Sequence, residues 1–220
     1  MIVLGFDTAT ASTVAAIEFP DGTVHSAGHH PGPDERPGHA ERLLGAIDEV
    51  MTSAGVGWED VGRLAVGVGP GGFTGLRIGI ATGRALAQSH GIPLAAVSSL
   101  EALAAEAQGE RDAVLAVIDA RRKEVFASAW AGSRRIFGPD AMRPDALATR
   151  VRGLRPLAVG DGALKFRGVL EAAGAVVPTY ADAHRIQGGR ICRLGRAAEA
   201  TDVAGLLPDY IREPDAKPRP

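Results

Sequence analysis

Gly67-Val68-Gly69-Pro70-Gly71-Gly72-Phe73-Thr74-Gly75-Leu76-Arg77-Ile78-Gly79 is the stretch whose reading decides the fold. The apolar run Arg63-Leu64-Ala65-Val66-Gly67-Val68 before it reads as a buried strand, and residues 74–89 behind it carry good helix formers and no proline. A strand, a glycine-rich turn and a helix N-terminus aim free backbone N–H groups and the positive end of a helix dipole at one point. An anion, a carbonyl or a partner's carboxylate fits there. The competing reading is a turn whose glycines serve positive φ and close packing. Gly67, Gly69 and Gly72 match G-x-G-x-x-G, but the acid that completes a dinucleotide fingerprint is missing, because strand 93–97 runs into Ser98-Ser99. The Gly-Lys-Ser/Thr close of a P-loop is missing too, since this loop ends Phe73-Thr74-Gly75.

Upstream, residues 2–6 form a β-rich run that ends at Asp7-Thr8-Ala9-Thr10, followed by a strand over 13–19, a hairpin turn at Asp21-Gly22 and a strand at 23–25. Residues 29–38 read as a loop. The pattern predicts a helix over 39–54, with Leu43, Leu44, Ile47, Val50 and Met51 as its apolar stripe. Downstream of the glycine loop come the 74–89 helix, strand 93–97 and a helix over 99–107 that Ser98 or Ser99 would cap.

The 220 residues allow one large domain or two small ones, and a hydrophobic content of 45% supports a sizeable core. A net charge of −2 gives no global reason for nucleic-acid or membrane binding. Cys192 is the single cysteine, so no disulfide framework exists and a reducing compartment is expected. There is no basic n-region and no apolar run of membrane length; the expectation is a cytoplasmic globular protein.

At Gly109 the pattern starts again. Strand 113–119 closes on Asp119 as the first strand closes on Asp7, an offset of 112 residues, and 125–130 stands where 13–18 stood. Leu157-Ala158-Val159-Gly160-Asp161-Gly162, Phe166 and Gly168 match Leu64 to Gly69, Phe73 and Gly75 at a constant offset of 93. Two matches in the same order mark a duplication into two βββαβαβα halves. The second copy is shorter where the 39–54 helix sits in the first. Its last elements are expected as a helix over 162–173, a short strand at 175–177 and a helix over 189–204.

Two such halves resemble the actin-like ATPase (ASKHA) superfamily of actin, chaperone ATPases and sugar kinases. That is an α/β fold of two subdomains around a cleft, here residues 1–108 and 109–212, with a disordered tail expected at 213–220. In that fold the first β-turn of each half, residues 7–12 and 119–123, faces the cleft together with the glycine loops. Within the superfamily the motifs resemble the bacterial TsaB (YeaZ) family. They are Asp7-Thr8-Ala9-Thr10, His39-x-Glu41-Arg42-Leu43-Leu44, the glycine stretch from Val66 to Gly79, Gly91-Ile92-Pro93-Leu94, Val97-Ser98-Ser99-Leu100-Glu101-Ala102-Leu103, Asp119-Ala120-Arg121-Arg122-x-Glu124-Val125 and Pro208-Asp209-Tyr210-Ile211-Arg212. Ala40 and Gly72 stand where the family commonly has serine, and Lys123 where glycine is common.

The resemblance implies a non-catalytic, dimerising subunit that binds and activates a TsaD-type catalytic subunit in forming threonylcarbamoyladenosine next to the tRNA anticodon. A TsaE-type ATPase completes the set of partners, and the chain alone is expected to homodimerise. It needs no cofactor of its own, because ATP and a metal are held by the partner. The catalytic relative carries two metal-binding histidines on the helix after its fifth strand. Those positions fall here on Ser99 and Leu103, and leucine cannot ligate a metal. No metal site is expected. Helices 39–54 and 74–89 are the implied docking elements, which makes His39, Leu43, Leu44, Ile47, Met51, Gly75, Gly79, Gly83 and Ala87 the candidate interface. The four-residue recurrence of Gly75, Gly79, Gly83 and Ala87 has two readings: close approach of a partner helix, or tight packing within the chain.

The candidate nucleotide or anion cleft comprises Asp7, Thr8, Gly69, Gly71, Gly72, Asp119 and Arg121. Asp7 would hold a metal-bound phosphate in the superfamily role, or cap its own turn; the lack of a following glycine favours the cap. Asp119 with Arg121 and Arg122 reads as a surface ion pair or as a cleft contact. Cys192 reads as a packed thiol. The alternative function is an enzyme acting alone, a cleft ATP-dependent phosphotransferase or a glycoprotease-like peptidase. Direct tRNA binding is not expected, because Arg134-Arg135 and the arginines from Arg150 to Arg155 are sparse along the chain.

Overall fold

The computed structural model describes residues 1–32, 35–107, 109 and 111–212. Part of the 29–38 loop and the whole 213–220 tail lie outside the described residues. The first sheet is built from β1 (Ile2–Asp7), β2 (Thr13–Glu18), β3 (Val24–His29), β4 (Val61–Gly69) and β5 (Leu94–Ser98), in the order β3-β2-β1-β4-β5. β1 pairs antiparallel with β2 and parallel with β4, so the chain must cross over through a helix. α1 (His39–Ala54) and α2 (Phe73–His90) make the crossovers, and α3 (Ser99–Ala107) leads on. Glycines in the left-handed region end both long helices: Gly55 at φ 64° and Gly91 at φ 66°.

The second sheet repeats the plan in the order β8-β7-β6-β9, from β6 (Val114–Arg121), β7 (Glu124–Ala131), β8 (Arg134–Met142) and β9 (Leu157–Val159). α4 (Pro144–Val151), α5 (Asp161–Lys165) and α6 (Arg167–Ala172) accompany it, and α7 (Gly188–Ala197) ends the helical part. Strand alternation divides the apolar residues into three cores. Leu4, Phe6 and Leu64 face α1 and α2. Val3, Ala16 and Ala65 meet Leu100 and Leu103 of α3, Ile191 of α7, and Ile118 and Trp130 of the second sheet. Leu115 and Val117 face Leu147 and Leu170 of the outer helices. The sheets therefore sandwich α3 and α7, with the remaining helices outside.

The duplicated α/β architecture stands, with corrections in the second half. β8 and α4 carry no counterpart in the sequence reading, because the edge strand is only half-buried and mixes arginine, glycine and proline. The expected strand at 175–177 is a single bridge from Val176 to Leu157, so the second sheet lacks a fifth strand. The expected 162–173 helix breaks at Phe166, and α7 stops at Ala197 instead of 204. α7 also packs under the first sheet: Gly188 lies against Ala15 and Ala16, and an added Cβ on Gly5 would sit 2.7 Å from Cys192 Sγ. The Cys192 thiol donates to the Ala16 carbonyl at 3.2 Å, and burial pushes its pKa up to about 12. It is the packed thiol the sequence implies.

Candidate functional site

β1 ends in a buried acid. Asp7 is 1% exposed. Its Oδ1 accepts the Ala9 N–H at 2.7 Å, which closes the turn, and the Ser99 hydroxyl donates to Oδ2 at 2.5 Å. Ser99 Oγ in turn accepts the Gly69 N–H at 3.2 Å. Burial pushes the Asp7 carboxyl above the usual carboxylate range, and the bonds from Ser99 and Ala9 oppose that shift. Thr8 is also buried and donates its hydroxyl to the Gly75 carbonyl at 2.8 Å. The Gly72 N–H donates to the Ala9 carbonyl at 2.7 Å.

The glycines exist to admit this turn. A Cβ on Gly67 would strike the Asp7 carboxylate, one on Gly71 the Ala9 carbonyl and one on Gly75 the Thr8 carbonyl. At Gly79 it would lie 2.5 Å from Thr8 Oγ1, and at Gly83 2.7 Å from Val66 Cγ2. The four-residue stripe on α2 therefore faces the chain's own β1–β2 turn and sheet. This corrects the interface assignment of Gly75, Gly79, Gly83 and Ala87, all buried inside the subunit. His39, Leu43, Ile47 and Met51 are corrected likewise: all four are buried, and His39 Nδ1 shares a 2.7 Å hydrogen bond with Thr13 Oγ1. Among the interface candidates only Leu44, at 58% exposure, points outward.

Between the halves lies a cleft of about 720 Å³. Gly71, Gly72, Asp119 and Arg121 line it as expected, whereas Asp7, Thr8 and Gly69 sit behind its wall. The wall is largely apolar, with Ala9, Ile78, Ile118 and Phe126, and its charge comes from Glu41, Asp161, Asp209 and Arg212 and, around the turn between β6 and β7, from Asp119, Arg121 and Arg122. There Arg121, Arg122 and Lys123 all take left-handed backbone, φ 62°, 50° and 62°. Asp119 holds that turn: Oδ1 accepts the Arg121 N–H at 3.0 Å, and Oδ2 meets Lys165 Nζ at 2.7 Å and Arg121 Nη1 at 3.5 Å. Asp161 accepts the Asp119 N–H at 3.0 Å, and burial raises its pKa.

These residues do not fit a metal-bound nucleotide. The acid that would face the phosphates is enclosed and committed to Ser99, and two glycine-loop N–H groups, those of Gly69 and Gly72, are spent within the chain. Among the described residues no three His, Cys, Asp or Glu side chains gather as a metal site, and no helix is long and apolar enough to cross a membrane.

The Pro208-Asp209-Tyr210-Ile211-Arg212 motif, which the sequence offers only as part of the family resemblance, forms a strap over the cleft. The Asp209 N–H donates to the Val68 carbonyl at 2.8 Å, and Tyr210 stacks on Phe73 with centroids 5.4 Å apart. Arg77 lies 3.8 Å over the Phe73 ring and donates from Nε to the Tyr210 hydroxyl at 3.0 Å. Arg212 then reaches Glu124 of the second sheet at 2.8 Å. Residues 208–212 thus tie the tip of α2 to the other half.

Two duplicated halves closing on a cleft define an actin-like fold, and a ROK hexokinase from Thermus thermophilus shares that fold alone, with a TM-score of 0.50 at 15% identity over 88% of this chain and 99% of that one. A family model described as "TsaD: tRNA N6-adenosine threonylcarbamoyltransferase" matches residues 26–150. The tRNA threonylcarbamoyladenosine biosynthesis protein TsaB of Bacillus subtilis is 30% identical over 191 residues, 81% of this chain and 82% of its own length. The structure of YeaZ from Pseudomonas aeruginosa superposes with a TM-score of 0.77 at 27% identity, covering 95% of this chain and 99% of that one. The chain belongs to the TsaB (YeaZ) family.

Proposed function

We propose that this chain is a non-catalytic subunit in tRNA threonylcarbamoyladenosine biosynthesis that docks a TsaD-type catalytic subunit through the outward faces of α1 and α2. The observation that carries the reading is the surface those helices leave uncovered. Their large apolar residues are spent on the sheet, and Ala40, Leu44 and Gly45 of α1 with Ala81 and Ala85 of α2 face out. Small side chains let another helix approach closely, and Leu44, exposed amid them, supplies an anchor. Family membership supports the partner, and the enclosed Asp7 supports leaving ATP, metal and catalysis to that partner and to a TsaE-type ATPase. The same face serves self-association when the partner is absent.

Co-purification and light scattering with the TsaD-type subunit of the same source test this reading. Wild type is expected to form a one-to-one complex. Leu44→Arg and Ala81→Arg are expected to weaken it by about 100-fold, since each buries an unpaired charge. Neither replaces a core residue, so the isolated variants keep their Tm within about 2 °C. A complex indifferent to both variants overturns the assignment.

A further inference from the structure

The net charge of −2 hides a division. Residues 1–108 hold five arginines and no lysine against twelve Asp and Glu, whereas residues 111–178, which build the second sheet and its helices, hold twelve Arg and Lys against seven Asp and Glu. The second half is a cationic body carried by an acidic one. We propose that it presents an RNA-backbone-binding rim formed by Arg134, Arg150, Arg152 and Arg155, through which this subunit touches tRNA directly. The proposal rests on the family role given above.

Strand register assembles the rim. Arg135 lies opposite Trp130, Trp130 opposite Val114, and Val114 opposite Leu157, so one transverse row crosses all four strands. Arg134 stands at one end of that row and Arg155 just before the other, separated by three strand spacings, about 14 Å. α4 starts just past β8, packs against β7 and α6, and leads into the connection that carries Arg152 and Arg155 to β9. From the last turn of α4 the Arg150 guanidinium lies 4.2 Å over the Phe137 ring and 2.7 Å from Asp140 Oδ2, in the middle of β8, which holds it beside the row. Arg152 follows in the connection to β9. All four are exposed, and Arg134, Arg152 and Arg155 have no carboxylate of a described residue within ion-pair distance. Arg135 belongs to the inner side, where it meets Glu101 at 3.9 Å, and Arg111 is flanked by Glu110 and Asp112; neither is counted.

Arg134 and Arg155 lie at the opposite end of the second sheet from the Asp119 turn and its cleft, and α1 and α2 cover the other sheet. A partner on those helices leaves the rim open. Guanidinium groups suit phosphate oxygens in their geometry and permanent charge. The rim has no aromatic stacking platform, which points to backbone contact without sequence reading. Leu154 is exposed between Arg152 and Arg155, short of the broad apolar face that a membrane-surface site needs.

The test is fluorescence anisotropy of labelled tRNA with the complex of this chain and its TsaD-type partner, from 50 to 250 mM salt. The variant carries Arg134→Gln, Arg152→Gln and Arg155→Gln; Arg152→Gln alone is the second variant. Three lost phosphate contacts are expected to lower the slope of log affinity against log salt by about 2–3 and to weaken binding at 0.1 M salt by at least roughly tenfold. The single variant is expected to lower the slope by about 0.7–0.9. Unchanged slope and affinity in folded variants overturn the proposal, as does loss of binding to phosphatidylserine vesicles with tRNA binding unmoved. If no complex forms, the docking reading fails instead, and the slopes are read on the isolated chain.

Discussion

Gly75→Ala separates packing within the subunit from docking outside it. In a helix interior the substitution favours folding by about 0.8–1 kcal/mol through propensity alone. In this chain the new Cβ lands on the Thr8 carbonyl and comes within 3.1 Å of His39 Nε2. The obstacle cannot step aside cheaply, because Thr8 is tied by its own hydroxyl to the Gly75 carbonyl at 2.8 Å and Ala9 to the Gly72 N–H at 2.7 Å. Overpacking costs about 1–3 kcal/mol, and a Cβ driven onto fixed backbone takes the upper half of that range, about 2–3 kcal/mol, against a propensity gain of about 1. The net expectation is a loss of about 1–2 kcal/mol, or roughly 2–8 °C in Tm for a chain of this size. Gly45→Ala is the matched control. It sits in α1 with nothing within 4 Å of the added Cβ, so the same chemistry should stabilise by about 0.5–1 kcal/mol. Urea and thermal unfolding of the isolated proteins read both. A Gly75→Ala protein as stable as wild type would refute the packing account and return the glycine stripe to the partner.

The buried acid gives a pH signature. Asp7 has a folded pKa above its unfolded value, so its contribution to stability is full below the ordinary carboxylate pKa and is lost as pH rises through the raised value. Subtracting the stability–pH profile of Asp7→Asn from that of wild type should leave a term that falls with rising pH; a flat or rising difference contradicts the assignment. Ser99→Ala leaves the Asp7 carboxylate and the Gly69 N–H unsatisfied together and is expected to cost about 2–4 kcal/mol in urea unfolding, with a near-neutral result contradicting it. Arg212→Ala removes a partly exposed ion pair, worth at most about 1 kcal/mol to global stability, yet should raise hydrogen exchange across residues 208–212. Unchanged exchange there would show that the strap is held without Glu124.

Much of the fold was legible because periodicity is strong where burial is one-sided. α1 and α3 begin and end where the apolar pattern says, and the Asp7 and Asp119 offsets exposed the duplication. β8 escaped because an edge strand buries little and needs no alternation, and α4 because its eight residues make barely two turns, too short a window for a helical period to stand out. The glycine loop illustrates a different limit. Sequence shows that Gly67, Gly71 and Gly75 lack side chains but not what occupies the space, and here a carboxylate and two carbonyls of the preceding turn fill it. Taken alone, α2 leaves open whether its stripe meets a partner or the chain's own turn. The sequence leaves the cap to Ser98 or Ser99; Ser98 takes it by accepting the Glu101 N–H at 3.4 Å, which frees Ser99 for Asp7. The arginine rim was invisible for another reason, since register across four strands joins residues that lie twenty apart in the chain.

The measurement that tests the central claim most directly is threonylcarbamoyl transfer to tRNA by the TsaD-type subunit, with and without this chain. On the proposed reading, in which the chain supplies a docking face and no catalytic group, wild type and Asp7→Asn, if folded, should both support transfer. Leu44→Arg should leave the partner at its unassisted rate. Full activity with Leu44→Arg, or turnover by this chain alone that Asp7→Asn removes, would contradict the account.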